Sequence, residues 1–234
     1  MKTLFVFFTC VAITLPSAFA GNIVGTVRAE GKTETKQGDD ASGGAYASRK
    51  YKFAEKVDYD AMRDFVVYIK GPLGTNVVAP PSKPLVVNTT RIKQEGAVFA
   101  PHVLPVVVGT TVEWPNNDQI FHNVFSYSEA KDFDLGLYKG NPEDKRVTFD
   151  KAGRVDVFCS IHANMHCIVL VLDNPFFAKS DDNNHYCISN VPAGTYHLTA
   201  WQERMPPQTK EITVPASGDV KMDFVLGITG LPKY

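Results

Sequence analysis

Short apolar runs bounded by Gly, Pro, Asn and Asp recur along most of the chain. Asn22-Ile-Val-Gly-Thr-Val-Arg28 reads as an opening strand, and Phe65-Val-Val-Tyr-Ile69, ended by Gly71-Pro72, as another. From residue 85 the punctuation becomes regular, with strands expected over 85–88, 104–108, 111–114, 124–126, 145–149, 155–159 and 167–172. Gly109-Thr110, Asn116-Asn117-Asp118 and Lys151-Ala152-Gly153 supply turns between them. Asp173-Asn174-Pro175 closes this series, and strands resume over 186–189, 194–201, 209–214 and 220–226. Strands at this spacing, with almost no amphipathic helix, predict an all-β chain of sandwich type. Two stretches depart from it. Residues 29–50 are polar and nearly free of apolar side chains, the composition of a mobile loop. Residues 52–63 place Phe53, Val57 and Met62 on one side of a possible short helix, and Pro80-Pro81-Ser-Lys-Pro84 is a linker or edge segment.

The chemistry concentrates in Phe158-Cys159-Ser160-Ile161-His162-Ala163-Asn164-Met165-His166-Cys167, at the end of an expected strand. A thiol, an imidazole and a thioether follow one another there at three-residue intervals. Soft sulfur with borderline nitrogen suits copper, which takes two His and one Cys with a weak axial Met. The second imidazole is His122, in Phe121-His122-Asn123-Val124. Other centres fit less well. Zinc on Cys159, His162, His166 and Cys167 would crowd four ligands into nine residues and leave Met165 idle. A binuclear copper centre needs a Cys where Ala163 stands, no Cys-x-x-Cys-His occurs for covalent haem, and no paired His-x-His exists for a trinuclear cluster.

Lys2, an apolar run over 4–15 and Ala18-Phe19-Ala20 read as an export signal cleaved after Ala20, so a periplasmic protein is expected. No stretch is long and apolar enough to span a bilayer. The balance of 24 basic and 25 acidic side chains gives a net charge of -1 and no support for nucleic acid or anionic membrane as a partner. Of four cysteines, Cys10 leaves with the signal. If Cys159 is a ligand, Cys167 and Cys187 remain as a natural pair for a disulfide in an oxidising compartment, the alternative being two buried thiols.

Phe99-x-Pro101, Val108-Gly-Thr-Thr-Val112, Trp114-x-Asn116-Asn117-Asp118, Phe121-His122-Asn123-Val124 and Cys159-x-x-His162-x-x-Met165 together resemble a plastocyanin-like cupredoxin. The two residues between His162 and Met165 resemble the short amicyanin loop, and the extra strands resemble a bacterial family of methylamine-utilisation or plastocyanin-like periplasmic proteins. The resemblance implies a Greek-key β-sandwich over 85–172 holding one type 1 copper ion. His122, Cys159 and His162 would be its strong ligands and Met165 the axial one. It also implies that Asn123 ties the two ligand loops together from the second shell. Ile23-x-Gly25-x-Val27 and residues 181–201, with Val191-Pro-Ala-Gly-Thr-Tyr196, resemble a carboxypeptidase regulatory-like, transthyretin-type β-sandwich. Its usual Asp-Gly turn is replaced by Asp181-Asp182-Asn183-Asn184, where Asn can take the left-handed position. Residues 21–84 and 173–234 would form this second sandwich, with the copper unit inserted in it or packed against it.

A site filled by four protein ligands leaves no open position for substrate, so an electron carrier is expected rather than an enzyme. Its partners would be redox proteins, such as a c-type cytochrome or a periplasmic dehydrogenase or oxidase, met through small, weak contacts near His162. The alternative is a periplasmic copper-binding, storage or delivery protein that moves no electrons. His102, in Phe99-Ala-Pro-His102-Val, is a candidate for the copper-loop end, as a second-shell or port residue.

Overall fold

The computed structural model describes residues 20–31, 58–73, 91–140, 142 and 145–227. Residues 1–19 of the expected export signal, 32–50 of the polar stretch, the proline-rich segment and the strand expected over 85–88 lie outside them, while Ala29 and Glu30, expected in the loop, end the first strand. Every regular element among the described residues is a strand. In chain order, β1 (Ala20–Glu30) and β2 (Val66–Ile69) come first. Then follow β3 (Lys93–Gln94), β4 (Phe99–Ala100), β5 (Val103–Val107), β6 (Thr110–Glu113), β7 (His122–Ser128) and β8 (Lys131–Tyr138). Next come β9 (Arg146–Phe149), β10 (Gly153–Phe158), β11 (His166–Leu172) and β12 (Phe177–Lys179). The last are β13 (His185–Pro192), β14 (Gly194–Gln202), β15 (Met205–Val214), β16 (Asp219–Lys221) and β17 (Phe224–Gly227).

Residues 93–172 build one layered unit. Its larger sheet runs β5-β11-β10-β7-β8, and the pairs β6-β9 and β3-β4 lie apart from it. Trp114, Phe149, Leu104, Val155, Val157 and Met165 fill the space between. The second unit joins strands distant in sequence. β1 pairs antiparallel with β13 and parallel with β16 and β17, while a second sheet runs β12-β2-β14-β15. Ile23, Val27, Phe65, Ile188, Leu198 and Phe224 lie in the core of this unit. β1 comes so close to the end of the chain that a side chain at Gly25 would collide with the Met222 carbonyl, which is why no Cβ fits there. Asn184 holds φ at 64°, and its N–H donates to the Asp181 carbonyl at 3.0 Å, so Asn serves as the left-handed turn residue.

The two units meet through β11. Along it, Cys167, Val169 and Val171 point into the first core. Ile168, Leu170 and Leu172 point the other way and pack with Val66, Phe177 and Trp201 of the second unit. A strand covered on both faces reads as an unbroken apolar run, as Cys167-Ile-Val-Leu-Val-Leu172 does.

Two expectations are corrected here. The stretch over 52–63 is not helical where it is described: Asp58 Oδ1 accepts from the N–H groups of Asp60 and Ala61 at 3.1 Å and closes a turn instead. Cys167 and Cys187 are not joined. Alternation along β11 turns Cys167 into the first core, and alternation along β13 turns Cys187 outward, beside Ser189 Oγ at 3.4 Å. Burial pushes the Cys167 thiol well above its ordinary pKa, with the Asp156 charge adding to it, so it stays protonated and unreactive.

Candidate metal centre

β7 and β10 are neighbours, joined at Phe125 and Phe158, so the start of one lies beside the end of the other. His122 is the first residue of β7, and Cys159 follows the last residue of β10. The loop 159–165 turns back tightly: Cys159 N–H donates to the Met165 carbonyl at 3.2 Å, and Met165 N–H to the His162 carbonyl at 3.0 Å. Residues 37 and 40 positions apart in sequence are thereby brought side by side.

His122 Nδ1 lies 3.0 Å from His162 Nδ1, and Cys159 Sγ lies 3.7 Å from the same His162 nitrogen. On its far side, His122 Nε2 is 2.8 Å from Asp118 Oδ2. A carboxylate only accepts, so Nε2 carries the hydrogen and Nδ1 presents its lone pair inward. Nitrogen and sulfur lone pairs converge on one point, where a cation can replace the shared proton. His122 is fully buried and Cys159 and Met165 nearly so, while His162 is half-buried. Two imidazoles and a thiol, with a thioether in the same core, make a soft donor set that fits copper.

The surroundings fix the donors in place. Asn123 Oδ1 accepts from Ser160 N–H at 2.7 Å, and its Nδ2 donates to Asp134 Oδ1 at 3.0 Å, so the side chain links the His122 strand to the Cys159 loop. Asp118 accepts from Gly96 N–H at 2.7 Å and Ala97 N–H at 2.9 Å as well as from His122. The Ala97 N–H, then the His122 ring, hold its carboxyl below the usual Asp range, so it is a fixed anion behind the ring. The sequence placed Asp118 in a turn and in a motif of the family resemblance, but gave it no role at the site. Its spacing four before His122, in a loop rich in Asn, was the available signal.

His102 does not join this group. Its Nδ1 lies 3.2 Å from the His166 carbonyl and its Nε2 2.9 Å from Glu203 Oε2, in the seam between the two units. The zinc set Cys159, His162, His166 and Cys167 does not converge either, because His166 and Cys167 point to opposite faces of β11.

Residues 86–172 match the family model for copper binding proteins of the plastocyanin/azurin family. The match covers the segment that carries the converging donors, less than half of the chain. Among solved structures, a reduced variant of amicyanin is 24% identical, over 36% of this chain and 81% of that one, with a TM-score of 0.32. A purple cupredoxin from Nitrosopumilus maritimus is 25% identical over 35% of this chain and 97% of its own, with a TM-score of 0.30. A Cu-containing nitrite reductase from Thermus scotoductus SA-01 is 26% identical over 44% of this chain but only 25% of its own, with a TM-score of 0.34. No curated protein matches the chain. Among the described residues no helix is long and apolar enough to cross a membrane.

Proposed function

We propose that the protein is a periplasmic type 1 copper protein that passes single electrons between redox partners, with one ion held by His122, Cys159, His162 and Met165. The observation that carries this reading is the convergence of His122 Nδ1, His162 Nδ1 and Cys159 Sγ inside a cupredoxin core, the first two 3.0 Å apart. Copper held there supplies exchange between Cu(I) and Cu(II). The protein's part is to keep the donors in one arrangement for both states. Asn123 ties the two ligand segments together, Asp118 fixes the orientation of the His122 ring, and the apolar core excludes water from Cys159 and Met165.

His162 is the ring that reaches the surface, and the exposed side chains of Ile120, Phe121 and Ile161 are on the segments that carry His122 and His162. That apolar rim suits a small, transient contact with a redox protein, such as a c-type cytochrome or a periplasmic dehydrogenase or oxidase. A ligand set made wholly of side chains argues for a carrier and against an enzyme. The strands outside residues 86–172 are read as a carboxypeptidase regulatory-like sandwich that carries the copper unit as an insertion, supported by the pairing of β1 with β13 and of β2 with β14.

The test is the visible spectrum of the Cu(II)-loaded protein followed by its electron self-exchange rate. An intense thiolate-to-copper band with fast exchange is expected. A missing band would remove the type 1 assignment, and an intense band with very slow exchange would favour storage over electron transfer.

A further inference from the structure

The seam between the two units holds a second convergence of donors. His102 lies at the entry to β5, His166 opens β11, and Glu203 sits in the turn between β14 and β15, on the other unit. One ligand atom from each lies within 4.8 Å of the other two. None is fully buried, so ions in solution can reach them.

The hydrogen bonding around these rings leaves a gap in the balance of charge. His102 Nδ1 faces the His166 carbonyl at 3.2 Å, which can only accept, so Nδ1 carries a hydrogen. In a neutral ring Nε2 then aims a lone pair at Glu203 Oε2, 2.9 Å away, acceptor against acceptor. Either a proton on Nε2 or a metal ion between the two atoms resolves that clash. His166 is prepared in the same sense: its Nε2 lies 3.0 Å from Asp156 Oδ1, which leaves Nδ1 as the free donor. Arg154 holds that carboxylate with bonds of 2.8 and 2.7 Å. A proton could bridge His102 and Glu203 alone, but the third donor gives the site the shape of a metal sphere. A carboxylate behind a ligating imidazole is the usual support for such a ring.

We propose that His102, His166 and Glu203 bind a divalent cation of the zinc class, which clamps the two units together. Two imidazoles and one carboxylate, with water in the fourth position, are a recurring zinc set. The absence of sulfur separates this site from the copper centre, since it offers nothing that favours Cu(I). Bond lengths of about 2.1 Å require donors about 3.4 Å apart, so donors that lie within 4.8 Å of one another have to close by about 1.4 Å at most. His166 is held by Asp156 and stacked on Phe158 with centroids 4.8 Å apart, so the closing movement falls to the partly exposed side chains of Glu203 and His102. In the turn beneath Glu203, Gln202 Oε1 accepts from Arg204 N–H at 2.7 Å.

The experiment counts metal on the full exported chain. Protein loaded with one equivalent of copper is dialysed against Zn²⁺, and zinc and copper per chain are measured together with the unfolding transition. One zinc retained beside the copper is expected, with a raised unfolding midpoint. His102→Ala and Glu203→Gln should each weaken zinc uptake at least tenfold, abolish the rise and leave the copper spectrum unchanged. Glu203→Gln keeps the size of a partly exposed turn residue and decides the matter if His102→Ala fails to fold. Counting zinc on the Cys159→Ser protein, with and without Glu203→Gln, separates this site from the copper reading, because the Glu203-dependent zinc should persist there. No zinc retained, uptake equal in both variants, or zinc bound only where copper leaves would overturn the proposal.

Discussion

The two faces of β11 support opposite kinds of chemistry within one strand. On the inner face Cys167, Val169 and Val171 line a closed apolar core that extends to Cys159 and Met165. On the outer face Ile168, Leu170 and Leu172 meet the second unit, and the rim of that contact is ionic, with His102, Glu203, Asp156 and Arg154. The inner side combines sulfur, buried nitrogen and exclusion of water, conditions under which a soft ion can change charge with little rearrangement. The outer side combines carboxylates and half-open imidazoles, conditions that hold charge but give a redox ion no preference. Met165 and His166 are consecutive residues, and the alternation of the strand sends them to different sides. Sequence proximity therefore says little about shared function here; the face decides.

The largest effect should come from breaking the inner side. Cys159→Ser removes the thiolate, and the intense visible band of the Cu(II) protein should disappear while the fold, measured by far-ultraviolet circular dichroism, stays intact. A retained band would show that the thiolate of Cys159 is not the chromophore.

Breaking the outer side should do the reverse. Ile168 is fully buried between the units, and Ile168→Ala should destabilise the protein by about 2 to 4 kcal/mol in a urea titration. The copper band should keep its position, since the inner face of β11 is untouched. A shifted or weakened band would mean that the two faces are not independent.

A subtler change probes the anion behind the inner ring. Asp118→Asn keeps the shape and an accepting oxygen but removes the negative charge that faces His122 Nε2 at 2.8 Å. Cu(II) should lose more stabilisation than Cu(I), so the reduction potential should rise, by roughly 60 mV for each tenfold loss of differential affinity. Voltammetry would show it, and a potential that falls or stays level would remove Asp118 from the set that tunes the site.

The inner side was far more legible in the sequence than the outer one. Cys159, His162 and Met165 lie within a single loop, and local spacing alone made them a ligand set. His122 needed only the expectation that two neighbouring strands bring their ends together. Asn123 and Asp118 differ instructively: both lie in motifs of the resemblance, which implied a role for the first but none for Asp118 until its contacts with Gly96, Ala97 and His122 were placed. The strand Lys131–Tyr138 was missed although Asp132 and Asp134 alternate with Phe133 and Leu135, because Asp and Gly are poor strand formers and the alternation breaks at Gly136, where φ is 68°. The outer side depends on Glu203 meeting His102 across 101 positions, which no local pattern encodes. The disulfide expectation failed for a related reason. Counting cysteines carries no information about which way each strand turns them, and period two turned Cys167 inward and Cys187 outward.

The smallest effect concerns acid. Asp156 belongs to the outer side, paired with Ile168 across the sheet. Burial raises its carboxyl, but hydrogen bonds from Arg154 and His166 outweigh that and leave its pKa below the ordinary Asp value. A carboxyl lowered by folding contributes stability that is complete above the unfolded value, near 3.9, and is lost as pH falls through the lower folded value. The contribution is modest, about 1 kcal/mol or less, because the pair is partly open to water. Urea midpoints taken at pH 6 and pH 3 should therefore drop less in Asp156→Asn than in the unmodified protein. The copper spectrum should be the same in both at pH 6. An equal drop in the two proteins would mean that the carboxylate of Asp156 does not stabilise the outer face, and the contrast between the two sides of β11 would then rest on packing and sulfur alone.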